Sequence, residues 1–307
     1  ELVEGRGVRG CRVVEVGCGK GSFLQKLVAW PGAGNTGHGF DPTYVGPDEA
    51  LDGRLRFARR FYDADCAGVP ADVVVCRHVI EHVPRPLELL RSVRAALAGS
   101  PGARVFFETP CLEWVLRRQV TWDFFYEHCS LFTPSSLAAA LTRAGFADIA
   151  VRHAFQGQYL WLEARVGGAA APAGGDARGV VALARAFARD DRQRVCVWEQ
   201  QVRRLAARGP VAVWGAGAKG VTFCNLIDPD CRLLRCVIDV SPAKQGKFVA
   251  GTGHRIVGPG RLPAEGVAAV LVLNPNYAAE VAAQVARAAP GVAVLDAMHE
   301  GWAEQCA

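Results

Sequence analysis

The stretch that most limits what this chain can fold into is Val13-Val14-Glu15-Val16-Gly17-Cys18-Gly19-Lys20-Gly21-Ser22-Phe23-Leu24. It reads as a buried strand, a glycine turn and the first turn of a helix. Glycine lets the backbone curl tightly and come close to a ligand. The helix start offers unpaired N–H groups. Downstream, Asp41 stands in Gly39-Phe40-Asp41-Pro42, where a second strand is expected to end. A glycine loop and an acid so placed describe a nucleoside-type cofactor over the edge of a parallel sheet. The dinucleotide spacing G-x-G-x-x-G needs a third glycine at position 22, and Ser22 stands there.

Length and composition bound the rest. A chain of 307 residues, 50% hydrophobic, has room for two domains with real cores. Its net charge is only +5, with no basic block, which gives nucleic acid no support as a partner. The 11 cysteines include no C-x-x-C pair. They read as reduced, mostly buried small hydrophobes of a cytoplasmic protein. No stretch is apolar enough to span a membrane, and no signal peptide is visible. The chain opens on Glu1, without Met, just before its first strand, so an earlier start is expected. Nothing in the sequence fixes an oligomeric state.

Strands are expected at 11–16, up to Asp41, at Arg60-Phe61-Tyr62-Asp63, at 71–76 and at 104–108, with two more near 148–153 and 158–165. Helices fall between them. One starts near Pro84, and another at Thr133-Pro134, an N-cap followed by Pro at the first position. The alternation predicts a doubly wound, Rossmann-like α/β sheet over 1–166. Residues 167–177, rich in Gly, Ala and Pro, read as a linker. A smaller Rossmann-like α/β domain follows over 178–307. A long helix leads it, with Val181, Leu183, Ala184 and Phe187 on its apolar stripe. Its own loop, Gly215-Ala216-Gly217-Ala218-Lys219-Gly220, does match G-x-G-x-x-G, and Asp239 stands where a ribose acid would.

Two further segments carry titratable groups. His78-Val79-Ile80-Glu81-His82 spells H-x-x-E-H, a zinc-protease pattern that needs both histidines on one helix. Here the segment follows a buried strand directly and Pro84 interrupts it, so no metal is assigned. In Phe124-Phe125-Tyr126-Glu127-His128-Cys129-Ser130-Leu131-Phe132-Thr133, an imidazole falls at the carboxyl edge of the sheet. Histidine suits a general base, and Glu127 could orient it. The alternative is a histidine packed under a helix cap.

The glycines at alternate positions after Glu15 resemble the E-x-G-x-G-x-G loop of class I S-adenosylmethionine (SAM) methyltransferases. The resemblance implies SAM as cofactor, held by Glu15, Gly17, Cys18, Gly19 and Gly21. Asp41 would accept the ribose hydroxyls, and Asp63 would meet the adenine edge. By the same analogy Arg77 and His78 lie nearest the cofactor, while His82 is structural.

A closer resemblance is to the sugar C-methyltransferases of antibiotic biosynthesis, which join a SAM domain to a Rossmann-like one. It rests on Glu127-His128-Cys129-Ser130-Leu131-Phe132, the second glycine loop, Asp239-Val240-Ser241-Pro242-Ala243-Lys244-Gln245-Gly246-Lys247, Gly251-Thr252-Gly253-His254-Arg255-Ile256 and Asn276-Tyr277. It implies a small nucleotide-linked keto-sugar as acceptor, methylated at carbon through an enolate. His128 would be the base, with Glu127 and Tyr126 beside it. Lys219, Asn276 and Tyr277 would meet the acceptor. The family's N-terminal zinc-binding cysteine module is not found between Glu1 and the SAM loop, and whether it precedes Glu1 stays open. Its tyrosine two places before the glutamate falls on Phe125, and its A-H after strand four reads Glu81-His82. Methylation of oxygen or nitrogen therefore stays open. So do an NAD-dependent oxidoreductase using the second glycine loop and a binding protein for which SAM is a signal.

Overall fold

The structure, a computed structural model, describes residues 1–167 and 177–298. The chain forms two units. One is Glu1–Trp114 with Glu127 onward to the end of the first sheet; the other is Val115–Tyr126 with the described residues from Arg178 on. The excursion of Val115–Tyr126 was not foreseen in the division at 166. The expected linker lies, but for its ends, outside the described residues.

The first unit runs α1 (Leu2–Gly5), β1 (Arg12–Val16), α2 (Ser22–Val28), β2 (Thr36–Phe40), β3 (Glu49–Ala50), β4 (Leu55–Ala58), β5 (Val73–Arg77), α3 (Pro86–Ala96), β6 (Arg104–Pro110), α4 (Leu112–Arg118, whose later residues belong to the second unit), α5 (Pro134–Arg143), β7 (Phe146–Ala154) and β8 (Tyr159–Val166). The sheet order is β3-β4-β2-β1-β5-β6-β8-β7. The strands β4, β2, β1, β5 and β6 are parallel; β3, β8 and β7 join antiparallel. Parallel strands need crossovers, and their helices bury both faces of the sheet. Side chains alternate between two cores as the period of two demands. Val14, Val16, Val74, Cys76 and Phe107 enter one with Leu90, Leu137 and Leu141; Val13, Val73, Val75 and Phe106 enter the other with Leu24 and Leu27.

One strand moves from its expected place. Leu55-Arg56-Phe57-Ala58 alternates buried and outward residues and pairs with β2, whereas Phe61 is exposed and Arg60–Asp63 forms no strand. Asp63 instead caps the turn Ala64–Cys66, accepting the Asp65 N–H. Thr133 does cap α5, in a reciprocal capping box with Ser136.

The second unit holds α6 (Ala177–Arg208), β9 (Val211–Trp214), α7 (Ala218–Ile227), β10 (Leu234–Ile238), β11 (Ile256–Val257), α8 (Leu262–Glu265), β12 (Ala269–Val272), α9 (Ala278–Ala288) and β13 (Ala293–Asp296). Its sheet, β11-β10-β9-β12-β13, is wholly parallel. The apolar stripe of α6 differs from expectation. Val181 and Ala184 are exposed, and the buried face runs through Phe187, Val202 and Leu205. The excursion packs into this unit through Trp122, whose ring stands edge-on to Trp198 and Phe223 and whose Nε1 donates to Leu273 O. No described helix is long and apolar enough to cross a membrane.

Candidate active site

The first glycine loop hangs between β1 and α2. Gly17 N–H and Cys18 N–H donate to Phe40 O, and Gly19 N–H donates to Asp41 Oδ2 at 2.8 Å. The loop is thereby tied to the end of β2. Asp41 is half-buried, and among the described residues no cation pairs with it. Burial pushes its carboxyl upward, but the Thr43 hydroxyl and N–H and the Gly19 N–H outweigh that and hold it below its ordinary value. Asp41 therefore stays ionised as an acceptor.

Glu15 is buried in the middle of the sheet, and its Oε2 has no hydrogen-bond partner. Burial raises its pKa to about 7, against the pull of Arg77 and the Leu24 N–H. An orphaned buried carboxylate oxygen next to a glycine turn suits the cationic end of a bound cofactor. Gly19 is the loop's open point. A Cβ there would meet nothing within 4 Å, whereas at Gly17 it would strike Val79 and at Gly21 the Phe57 ring. The Cys18 thiol is buried, with its pKa pushed up to about 12, and acts as a packing group.

After β5 the chain turns sharply at His78, which holds φ +52°, a left-handed backbone that non-glycine residues adopt at a cost of about 1 kcal/mol or more. His78 lies edge-on to Tyr159 and 3.4 Å from Glu81 through Nδ1. Arg77 pairs with Glu108 at 2.6 Å and covers the Phe23 ring. Asp63, expected at the adenine edge, is bonded to Arg60 and to the turn it caps.

The segment Glu127–Thr133 docks onto the same carboxyl edge by bonds to the turn after β5. Ser130 N–H donates to Glu81 O, and Ser130 Oγ donates to Val83 O. His82 Nδ1 donates to Glu127 O at 3.1 Å. His128 is half-buried, its ring 4.8 Å from that of His82 and edge-on to it. So His82, expected only to pack, is the ring neighbour of His128. Glu127 contributes its backbone carbonyl, with its side chain exposed. Tyr126 is fully exposed and belongs to the other unit. Beneath the pair lies Glu81, 1% exposed, with Oε2 accepting from Thr109 Oγ1 at 2.9 Å. Sequence spacing could not join positions 81–82 to 128. The available signal was an acid in the short turn that follows the apolar strand, Glu81 in Ile80–His82, four positions beyond Arg77.

In the second unit, Gly220 closes the second loop against β9: a Cβ there would sit 1.9 Å from Gly215 O. This is the helix–strand packing role of the third glycine in such loops. Asp239 is buried and engaged, accepting from the Ala216 and Ser241 N–H groups and from Lys244. Lys219 is ion-paired with the buried Asp123. Asn276 N–H donates to Asn274 Oδ1, and Tyr277 is half-exposed at the start of α9. All these belong to the second unit, as the glycine loop, Asp41 and His128 belong to the first.

Residues 3–151 match a family model described as a methyltransferase domain, and residues 184–293 match one described as a C-methyltransferase C-terminal domain. A ubiquinone biosynthesis O-methyltransferase of Vibrio cholerae serotype O1 is 37% identical over 114 residues, 35% of this chain and 45% of that protein. One from Stutzerimonas stutzeri is 35% identical over 106 residues, 33% of this chain and 44% of that protein. The chain thus spans less than half the length of these relatives. Among solved structures, human N-acetylserotonin methyltransferase in complex with SAM is 19% identical, with a TM-score of 0.41, covering 52% of this chain and 48% of that one.

Proposed function

We propose that this chain, a class I SAM-dependent methyltransferase through residues 3–151, methylates a carbon next to a ketone in a small, nucleotide-linked, sugar-like acceptor. The observation that carries carbon over oxygen is the match of residues 184–293 to a C-methyltransferase C-terminal domain. SAM, when bound, supplies an electrophilic methyl group. Gly17 to Gly21, Asp41 and the orphaned Glu15 would hold it. His128 takes the proton from the acceptor carbon, and the electron pair left behind is delocalised onto the ketone oxygen as an enolate. That carbon would then form the new bond to methyl as the methyl–sulfur bond of bound SAM breaks, its electron pair staying on sulfur in the departing thioether. The rest of the gain comes from alignment and exclusion of water, since methyl transfer is an in-line displacement. His82 donates its Nδ1 proton to Glu127 O and so fixes the backbone beside the base. Lys219, Asn276 and Tyr277 remain our proposed acceptor contacts, with Lys219 giving up or sharing Asp123 to meet a phosphate.

A second reading is O-methylation, favoured by the relatives at 35–37% identity, which are named O-methyltransferases. His128 would then take a hydroxyl proton. Incubating a nucleotide-linked 4-keto-sugar with the protein in D2O separates the two. An enolate exchanges the carbon-bound proton for deuterium even without SAM. His128→Gln should abolish exchange while SAM still binds. Methyl transfer with no exchange would favour the oxygen reading, and unchanged turnover in His128→Gln would return this residue to packing in either.

A further inference from the structure

The cluster of Glu81, His82 and His128 has a property that the base role does not use. One ligating atom from each residue lies within 4.8 Å of those of the other two. Bound to zinc at about 2.0–2.1 Å, tetrahedral ligands sit roughly 3.4 Å apart, so the set needs only side-chain adjustment. His82 is exposed and His128 half-buried, which leaves them room to make it.

The groups behind these residues suit metal ligands. His82 donates Nδ1–H to Glu127 O at 3.1 Å, which puts the lone pair of its neutral ring on Nε2. A backbone carbonyl is a usual outer partner of a metal-bound imidazole. Glu81 is anchored by Thr109 at Oε2, while its Oε1 is buried and faces His78 Nδ1 at 3.4 Å, too loosely for a well-formed hydrogen bond. A buried oxygen so weakly paired gains from a cation. Two imidazoles and one carboxylate, with solvent on the His82 side, make a three-ligand set with an open fourth position. That set selects borderline cations such as Zn2+, Co2+ or Ni2+ over Mg2+ or Ca2+. It is not the H-x-x-E-H reading of the sequence. His78 is no member, and the third ligand comes from a segment 46 positions beyond His82.

We propose that Glu81, His82 and His128 bind one borderline divalent cation. A further consequence rests on the reading of His128 as base: a ring that ligates a metal cannot accept the acceptor's proton, so the cation and methyl transfer exclude each other. Micromolar zinc should then inhibit turnover reversibly, with chelator restoring it.

The test is titration of metal-stripped full chain with Co2+, followed by visible absorption, and with Zn2+ by calorimetry. The expected result is one site with the intense bands of low-coordinate cobalt. His82→Ala, at an exposed position, should weaken binding by about 100-fold and Glu81→Gln by about tenfold or more. His153→Ala, on β7, should bind as wild type. Circular dichroism checks that each variant is folded. No cobalt bands in the wild type, or equal affinity in His82→Ala, would overturn the site. One bound zinc with undiminished turnover would uphold the site and remove His128 as base, so the two failures are distinguishable.

Discussion

Asp41 Oδ2 accepts the Gly19 backbone N–H at 2.8 Å, so the end of β2 and the loop after β1 are bonded to each other directly. Oδ1 is held by the Thr43 hydroxyl and N–H at 2.6 and 2.7 Å. An acid fixed this way has its charge and direction set before a ribose arrives. Asp41→Asn keeps the size and removes the charge. It should weaken SAM binding by about 10- to 100-fold, the worth of a charge-assisted hydrogen bond or two. Calorimetric titration measures this. A loss under about twofold would make Asp41 a loop acid and no more.

Two glycines of the same loop should separate folding from binding. At Gly21, φ is +74° and a Cβ would lie 2.4 Å from the Phe57 ring, which is part of the core. Gly21→Ala should cost about 2–3 kcal/mol, seen as a lower midpoint in urea. At Gly19, φ is +54° but the space is open. Gly19→Ala should cost only about 1 kcal/mol of stability. Its larger effect should be on SAM affinity, because the methyl group occupies the side from which a ligand approaches. Equal effects of both variants on affinity, after correction for stability, would argue against Gly19 as the contact point.

These distinctions show what the sequence could and could not carry. The parallel sheet was legible because Val13–Val16 and Val73–Cys76 are buried on both faces and need no partner information to be read as strands. Thr133 was legible because capping is local. The strand at Leu55–Ala58 was displaced in the reading because Phe61 and Tyr62 look like strand residues, while their true neighbours are set by pairing with β2. The approach of His82 to His128 is a contact across a fold, and periodicity has no term for it. The spacing of the loop at Lys219 carries no information on that side chain's ion pair. Its partner, Asp123, lies 96 positions away.

That pair gives a third prediction. Asp123 is 6% and Lys219 20% exposed in their side chains, and burial pulls the Lys219 pKa down although Asp123 opposes it. Removing one partner leaves the other charge buried. Asp123→Ala should cost about 3 kcal/mol, the lower end for a broken buried pair, since Lys219 reaches some solvent. Replacing both, Asp123→Leu with Lys219→Met, should recover most of the loss. Chemical denaturation of Asp123→Leu, Lys219→Met and the double variant gives the coupling energy. If the double variant is as unstable as the sum of the singles, the two residues act independently.

Glu15 gives the last prediction, and its sign follows from burial. Its folded pKa is raised to about 7 from an ordinary 4.5, chiefly because the carboxylate is desolvated. The folded state therefore holds the proton more tightly than the unfolded chain does. The benefit is complete below about pH 4.5 and is lost as pH rises through 7, where the native state must carry a buried charge. The full difference is about 3 kcal/mol, with Arg77 and the Leu24 N–H already counted in it. Glu15→Gln stays neutral throughout, and its amide oxygen can still take the Leu24 N–H. In urea unfolding, the variant should match wild type near pH 5 and exceed it near pH 8. A gap of the same size at both pH values would mean that Glu15 titrates normally. SAM should narrow the gap, because its cationic groups favour the ionised Glu15. Binding near pH 7 should therefore release a proton, seen as a calorimetric heat that changes with the ionisation enthalpy of the buffer.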